Sequence, residues 1–172
     1  ATFKVLNICQ MTVSDGALRE GQVYDLVGRI YHSDIRSDTV AYWATRFRAD
    51  LPHAQRIKQT VQAMLDQLTL FNELESKTLE QFMDWAAMLH EIGRDIAHNQ
   101  YHKHSAYIVE NADMAGFSSQ DQTIIAAIVR THRRKFDLKH FQNLPMPWNK
   151  YGPYLCIILR LSVTLHRSRS ET

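Results

Sequence analysis

The chain has 172 residues, 45% of them hydrophobic and 22% charged, with 6 Gly and 4 Pro, which excludes a disordered or fibrous polymer and suits one domain with room for a fragment of a second. The formal charge of +2 at pH 7 is too small to define partners globally, so only local clusters bear on binding. Cys9 and Cys156 lack CxxC spacing, which excludes a disulfide framework or zinc knuckle and points to reduced thiols in a cytoplasmic protein. No apolar run approaches the ~20 residues of a membrane span, since "YLCIILRLSVTL" is interrupted by Arg160. No signal-peptide pattern opens the chain, and its first residue, Ala1 rather than Met, suggests a processed or excised segment.

In chain order, "ICQMTVS" (residues 8–14) reads as a strand closed by the turn Ser14-Asp15-Gly16, and residues 17–31 as a helix. A helix with Ser37 as N-cap follows, placing Val40, Trp43, Ala44 and Phe47 at helical spacing. Asp50 and Pro52 start a helix whose stripe of Ile57, Val61, Met64, Leu65 and Leu68 carries it to about residue 71. The next is predicted over 77–92, with Leu79, Phe82, Met83, Ala86 and Leu89 inward and Gly93 as its stop. A shorter helix covers 103–112, and Ser118 with Asp121 forms a capping box opening a helix with Ile124, Ile125, Ile128 and Val129. "NLPMPWNKYGP" reads as a loop before a last helix over 154–168. Trp43, Trp85 and Trp148 are expected in the core.

Four histidines fall on the apolar stripes. His53 precedes Ile57 by four residues, His90 follows Ala86, His104 precedes Ile108 and His132 follows Ile128, each by four. Two readings stand. They are independent core histidines bonded to backbone carbonyls, or they converge, with Glu91 beside His90, into one site able to bind a metal or move protons.

The order His53, His90-Glu91, His104 and His132 in "VRTH" resembles the HD superfamily of metal-dependent phosphohydrolases. The chain departs from that pattern twice: Glu91 stands where the pair has Asp, and "LRLSVTLH" carries Val163 where a closing Asp is expected. Valine cannot ligate a cation, and two-metal catalysis needs oxygen ligands. No metal is therefore expected on His53, His90, Glu91, His104 and His132.

A closer likeness covers nearly the whole chain. "SDGALREGQVYDLVGR", "HSDIRSDTV", "AAMLHEIG", "HKHSAYIVENADMAGF" and "VRTHRRK" resemble the C-terminal part of the exopolyphosphatase and guanosine pentaphosphate phosphohydrolase (Ppx/GppA) family. The resemblance implies a mainly α fold. Residues 1–32 would be a short α/β remnant of an actin-like (ribonuclease H-like) domain, and residues 33–172 a degenerate HD-like helical bundle. It also implies that hydrolysis, with magnesium as cofactor, belongs to actin-like lobes upstream. This fragment alone would be inactive and need no cofactor, contributing to substrate binding and to a homodimer. The alternative is an independent HD-type metallophosphohydrolase. Polyphosphate and guanosine pentaphosphate both remain open as the partner.

"RTHRRKFDLKH", residues 130–140, has five Lys or Arg against one Asp. Such a run is a solvated face or a polyanion surface; a polyphosphate site on Arg130, Arg133, Arg134, Lys135 and Lys139 with Lys103 is the reading adopted, with His102 and His104 beside it. "DGALREG" can offer helix N-terminal amides and Arg19 to a phosphate, or be an ordinary turn. No basic-aromatic interleaving points to nucleic acid.

Overall fold

Apolar residues recurring every three to four positions dictate a helical chain, and helices are what form. The computed structural model describes residues 35–68 and 76–169. The chain divides at Asp34 and Ile35, and the strand, first helix and Arg19 expected before that point lie outside the described residues, as does Cys9. Seven α-helices and one 3-10 turn make up the described part: α1 Ile35–Arg46, α2 Leu51–Leu65, α3 Ser76–Leu89, the 3-10 turn Ile92–Asp95, α4 Tyr101–Asn111, α5 Ser119–Thr131, α6 Lys139–Gln142 and α7 Trp148–Leu165. None is long and apolar enough to cross a membrane.

Helix α3 is the hub, packing against α1, α2, α5 and α7. Its buried Leu79, Phe82, Met83, Ala86 and Leu89 meet Ile57 and Val61 of α2, Ile124, Ile125 and Ile128 of α5 and Leu155 and Leu159 of α7 in one core. Each such aliphatic side chain contributes about 1.5–3 kcal/mol on burial. Trp85 and Trp148 join this core, whereas Trp43 is half-buried. Cys156 is buried in α7, where Thr131 Oγ1 donates to its sulfur at 3.0 Å. Burial pushes its thiol pKa up to about 11, leaving it a packing group.

Two helix starts follow the sequence chemistry closely. Asp50 Oδ1 accepts from the His53 backbone N–H at 3.0 Å, and Ser118 and Asp121 form the reciprocal capping box at 3.1 Å each. Five boundaries differ from the sequence reading. Ser37 lies inside α1, so it is no N-cap. Helix α2 stops at Leu65 rather than near 71, since the chain turns at Asp66 and leaves Leu68 exposed. Helix α4 begins at Tyr101, after the left-handed Gln100 (φ 56°). Helix α7 begins at Trp148, with Pro153 in its second turn, where the missing N–H loses one bond.

Gly93 is the most instructive difference. Helix α3 already ends at Leu89, and Gly93 sits in the 3-10 turn instead of closing a helix. A Cβ there would lie 2.4 Å from both the Ser105 N and the Tyr101 carbonyl oxygen. Glycine is required because α4 presses its backbone onto this turn, and the Gly93 N–H donates to Ser105 Oγ at 2.8 Å.

Candidate functional site

Three helix ends meet at one point. The first turn of α2 presents His53, the residue after α3 is His90, and the residue after α5 is His132. All three are buried, at 3%, 0% and 2% exposure. His53 and His90 have ring centres 6.1 Å apart, and His90 and His132 are 5.4 Å apart. A helix end leaves its last carbonyls without intrahelical donors, and the imidazoles fill that role. His90 Nδ1 donates to the Ala87 carbonyl at 2.7 Å and His132 Nδ1 to the Val129 carbonyl at 2.5 Å.

These bonds decide the chemistry of the other nitrogen. A carbonyl only accepts, so Nδ1 carries the proton and Nε2 of each neutral ring keeps a lone pair. Neither Nε2 has a hydrogen-bond partner, nor does His53 Nδ1. Burial lowers the pKa of all three rings, with Glu91 opposing the shift at His53 and His90, and the neighbouring His90 reinforcing it at His132. The rings are therefore uncharged at neutral pH.

His104 does not join them. The buried face of α4 runs through His102, Ser105, Ala106 and Val109, and His104 is turned half-outward. His102 takes its place, its ring centre 6.3 Å from that of His132. Burial and the charges of Arg133 and Lys103 lower the His102 pKa to about 4. The small pair Ser105-Ala106, three and four positions after His102, with Val109 at seven, is the signal that identifies this face.

Glu91 is buried and held by two guanidinium groups. Arg94 Nη1 donates to its Oε2 at 3.0 Å and Arg169 Nη2 at 2.6 Å, while Arg169 Nη1 reaches Asp50 Oδ2 at 2.5 Å. Asp50 thus caps α2 with one oxygen and binds Arg169 with the other. Burial tends to raise its pKa, but the His53 amide and the Arg169 charge outweigh that and lower it. Nothing local in the sequence announces Arg169, which lies 78 residues from Glu91 and 119 from Asp50.

His53, His90 and Glu91 place one donor atom each within 4.8 Å of the others. Two imidazoles and one carboxylate suit a borderline transition metal such as zinc and not magnesium, which favours oxygen alone. Glu91 is committed to Arg94 and Arg169, and Val163 lines the same cavity without a donor.

Two cavities flank this point. One, of about 460 Å³, has the histidines and Glu91 as its floor and Arg94, Arg133, Arg160, Arg167 and Arg169 around it. The other, of about 510 Å³, brings Lys103 of α4 to Arg130, Arg134 and Lys135 at the end of α5, with Asp137 and His140 opposite. The run 130–140 is therefore divided. Arg133 lies over the Tyr101 ring at 4.7 Å and faces the histidine cavity. Arg134, in a left-handed backbone conformation (φ 67°), lines both. Lys139, at the start of α6, is exposed and lines neither.

Residues 35–172 match the family model described as Ppx/GppA phosphatase, domain III. The chain belongs to the Ppx/GppA phosphatase family. It is 32% identical over 171 residues to the guanosine-5'-triphosphate,3'-diphosphate pyrophosphatases of Pseudoalteromonas translucida and Aeromonas salmonicida. Each match covers 99% of this chain and 34% of the relative, so the chain spans about a third of the Ppx/GppA relatives it matches. The helical architecture is that expected of the C-terminal part of a Ppx/GppA protein.

Proposed function

We propose that this chain is the substrate-guiding domain of a cytoplasmic polyphosphate or guanosine pentaphosphate phosphohydrolase. Hydrolysis, with magnesium, belongs to actin-like lobes of the parent, to which residues 1–32 would connect, and residues 33–172 form a degenerate HD-like bundle. The observation that carries this reading is the cavity shared by Lys103, Arg130, Arg134 and Lys135, which gathers cations from α4 and α5 into one groove. Polyphosphate carries one charge or more per residue along a flexible chain, and such a groove releases its counterions. Guanidinium groups suit it because they donate two hydrogen bonds to one phosphate and stay charged. Arg19 would be a phosphate contact of its own segment, and Lys139 would steer the anion from outside the groove.

The test is binding of long-chain polyphosphate to the Arg130→Glu, Lys135→Glu double variant at several salt concentrations. Affinity should fall, and the slope of log K against log salt should flatten by roughly 0.7 for each lost phosphate contact. Unchanged affinity and slope would reduce the run to a solvated face. The same reading includes a homodimer, supported by the exposed row Tyr154, Ile157, Leu161 and Leu165 on α7; sedimentation of Leu161→Glu as a monomer would follow from it.

One observation favours a second reading, an HD-type metallophosphohydrolase: the unpartnered nitrogens of His53 and His90 beside Glu91. Stoichiometric zinc or manganese retained through chelation, with phosphatase turnover lost in His90→Ala, would select it. The leading reading expects neither polyphosphate nor guanosine pentaphosphate to be turned over by this chain, with or without magnesium.

A further inference from the structure

The cavity floored by the histidines combines two features that the substrate-guiding reading does not use. Its rim holds cations in excess. Arg94 and Arg169 are matched by Glu91 and Asp50, but Arg133, Arg160 and Arg167 have no carboxylate partner among the described residues. The Arg133 charge rests only against the Tyr101 ring. Its floor, by contrast, offers acceptors. His90 Nε2 and His132 Nε2 are fully buried, unpartnered, and unable to donate while their Nδ1–H groups hold the Ala87 and Val129 carbonyls.

A ligand that satisfies both must present several anionic oxygens to the rim and one hydroxyl hydrogen to the floor. We infer that this cavity binds a hydrogen phosphate group, its P–O oxygens received by Arg133, Arg160 and Arg167 and its P–OH donating to His90 or His132 Nε2. A divalent anion without a hydrogen, such as sulfate, satisfies the rim and leaves the floor nitrogens bare. Selection between the two anions is the mark of this arrangement, because an arginine cluster alone ranks them by charge, which they share near neutral pH. The volume of about 460 Å³ admits free inorganic phosphate or the end of a short phosphate chain, which share this chemistry. The site shares Arg134 with the groove on Lys103, Arg130 and Lys135 but is otherwise lined by different cations, and it stands whether or not that groove binds polyphosphate.

The experiment is isothermal titration of the full 172-residue chain, treated with chelator, with inorganic phosphate, sulfate, tripolyphosphate and guanosine triphosphate near pH 7.5. Phosphate should bind at least about tenfold more tightly than sulfate, the effect of one hydrogen bond to a charged group. The rim variant Arg160→Gln, Arg167→Gln, at a half-buried and an exposed position, should lose at least tenfold in phosphate affinity with its helical circular dichroism intact, while Arg130→Glu, Lys135→Glu should keep it. In the His90→Asn, His132→Asn double variant, which removes both imidazole acceptors and adds amides that can donate to sulfate, the preference over sulfate should disappear; if that variant misfolds, the anion ranking and the rim variant still decide. Equal binding of sulfate and phosphate overturns the inference, as does loss of phosphate binding in the groove variant with none in the rim variant. Phosphate binding seen only after zinc or manganese is restored also overturns it and returns the floor to metal. Tighter binding of tripolyphosphate than of inorganic phosphate, lost in the rim variant, identifies the chain end as the source; the reverse order identifies the free ion.

Discussion

The two cavities beside α5 differ in construction although both are lined by cations. The groove of Lys103, Arg130 and Lys135 is assembled from side chains on the first turn of α4, the end of α5 and the loop after it. The charges of Lys103 and Arg130 bear on the core only through the neighbouring His102, whose pKa burial lowers and they lower further. The neighbouring cavity is built from the core outward. Its imidazoles close the last carbonyls of α3 and α5, so the groups that face a ligand are the groups that finish the helices. The difference teaches that the groove can be altered without touching stability, whereas the imidazole floor of the cavity cannot.

Acid should break the comparison most forcefully. His53, His90, His102 and His132 all have pKa values lowered in the folded state. The unfolded chain, with ordinary histidines near 6.5, therefore binds more protons below that pH, and stability must fall as pH drops. Stability is complete above about pH 6.5 and declines toward pH 4, near the folded value of His102 at about 4. For the fully buried His90 and His132, the loss at pH 5 reaches up to roughly 2 kcal/mol each. Urea midpoints recorded from pH 7.5 to 5 check this; a flat profile would detach the imidazoles from the fold.

Gly93→Ala tests the support beneath the same cavity. Its Cβ would meet backbone atoms of Tyr101 and Ser105 at 2.4 Å, which cannot yield as a flexible side chain would. A destabilisation of about 3 kcal/mol is expected, read as a fall in thermal midpoint. Ser118→Ala removes the capping box at the far end of α5 and should cost about 1 kcal/mol while leaving anion binding at both cavities unchanged. That outcome would show that helix stability alone does not set affinity.

The groove should be nearly silent by the same measure. Arg130→Glu, Lys135→Glu is expected to shift stability by less than about 0.5 kcal/mol while changing polyphosphate binding. Arg134→Gly should be equally quiet. Relieving a left-handed residue and loosening the unfolded chain oppose each other, so stability should stay within about 0.5 kcal/mol and only affinity should drop.

Local sequence chemistry determined a large part of this protein. Periodicity marks the buried faces of α2, α3 and α5, and the caps at Asp50 and Ser118 are read from side chains that satisfy amides a few positions away. His53, His90 and His132 are legible as inward-facing for the same reason, since helical geometry repeats every 3.6 residues. The choice between His102 and His104, which differ by 200° around α4, was written only in the small pair Ser105-Ala106 and Val109 beside His102, and packing against α5 and the Gly93 turn is what orients that helix. The division of the run 130–140 between two cavities needed the turn at Arg134. The guanidinium of Arg169 on Glu91 and Asp50 needed the whole fold, because contacts spanning 78 and 119 residues leave no period or spacing behind. Backbone hydrogen bonding acts over a few residues and is written locally; ion pairs and cavity walls arise only when distant helices are packed, and tertiary structure alone decided those.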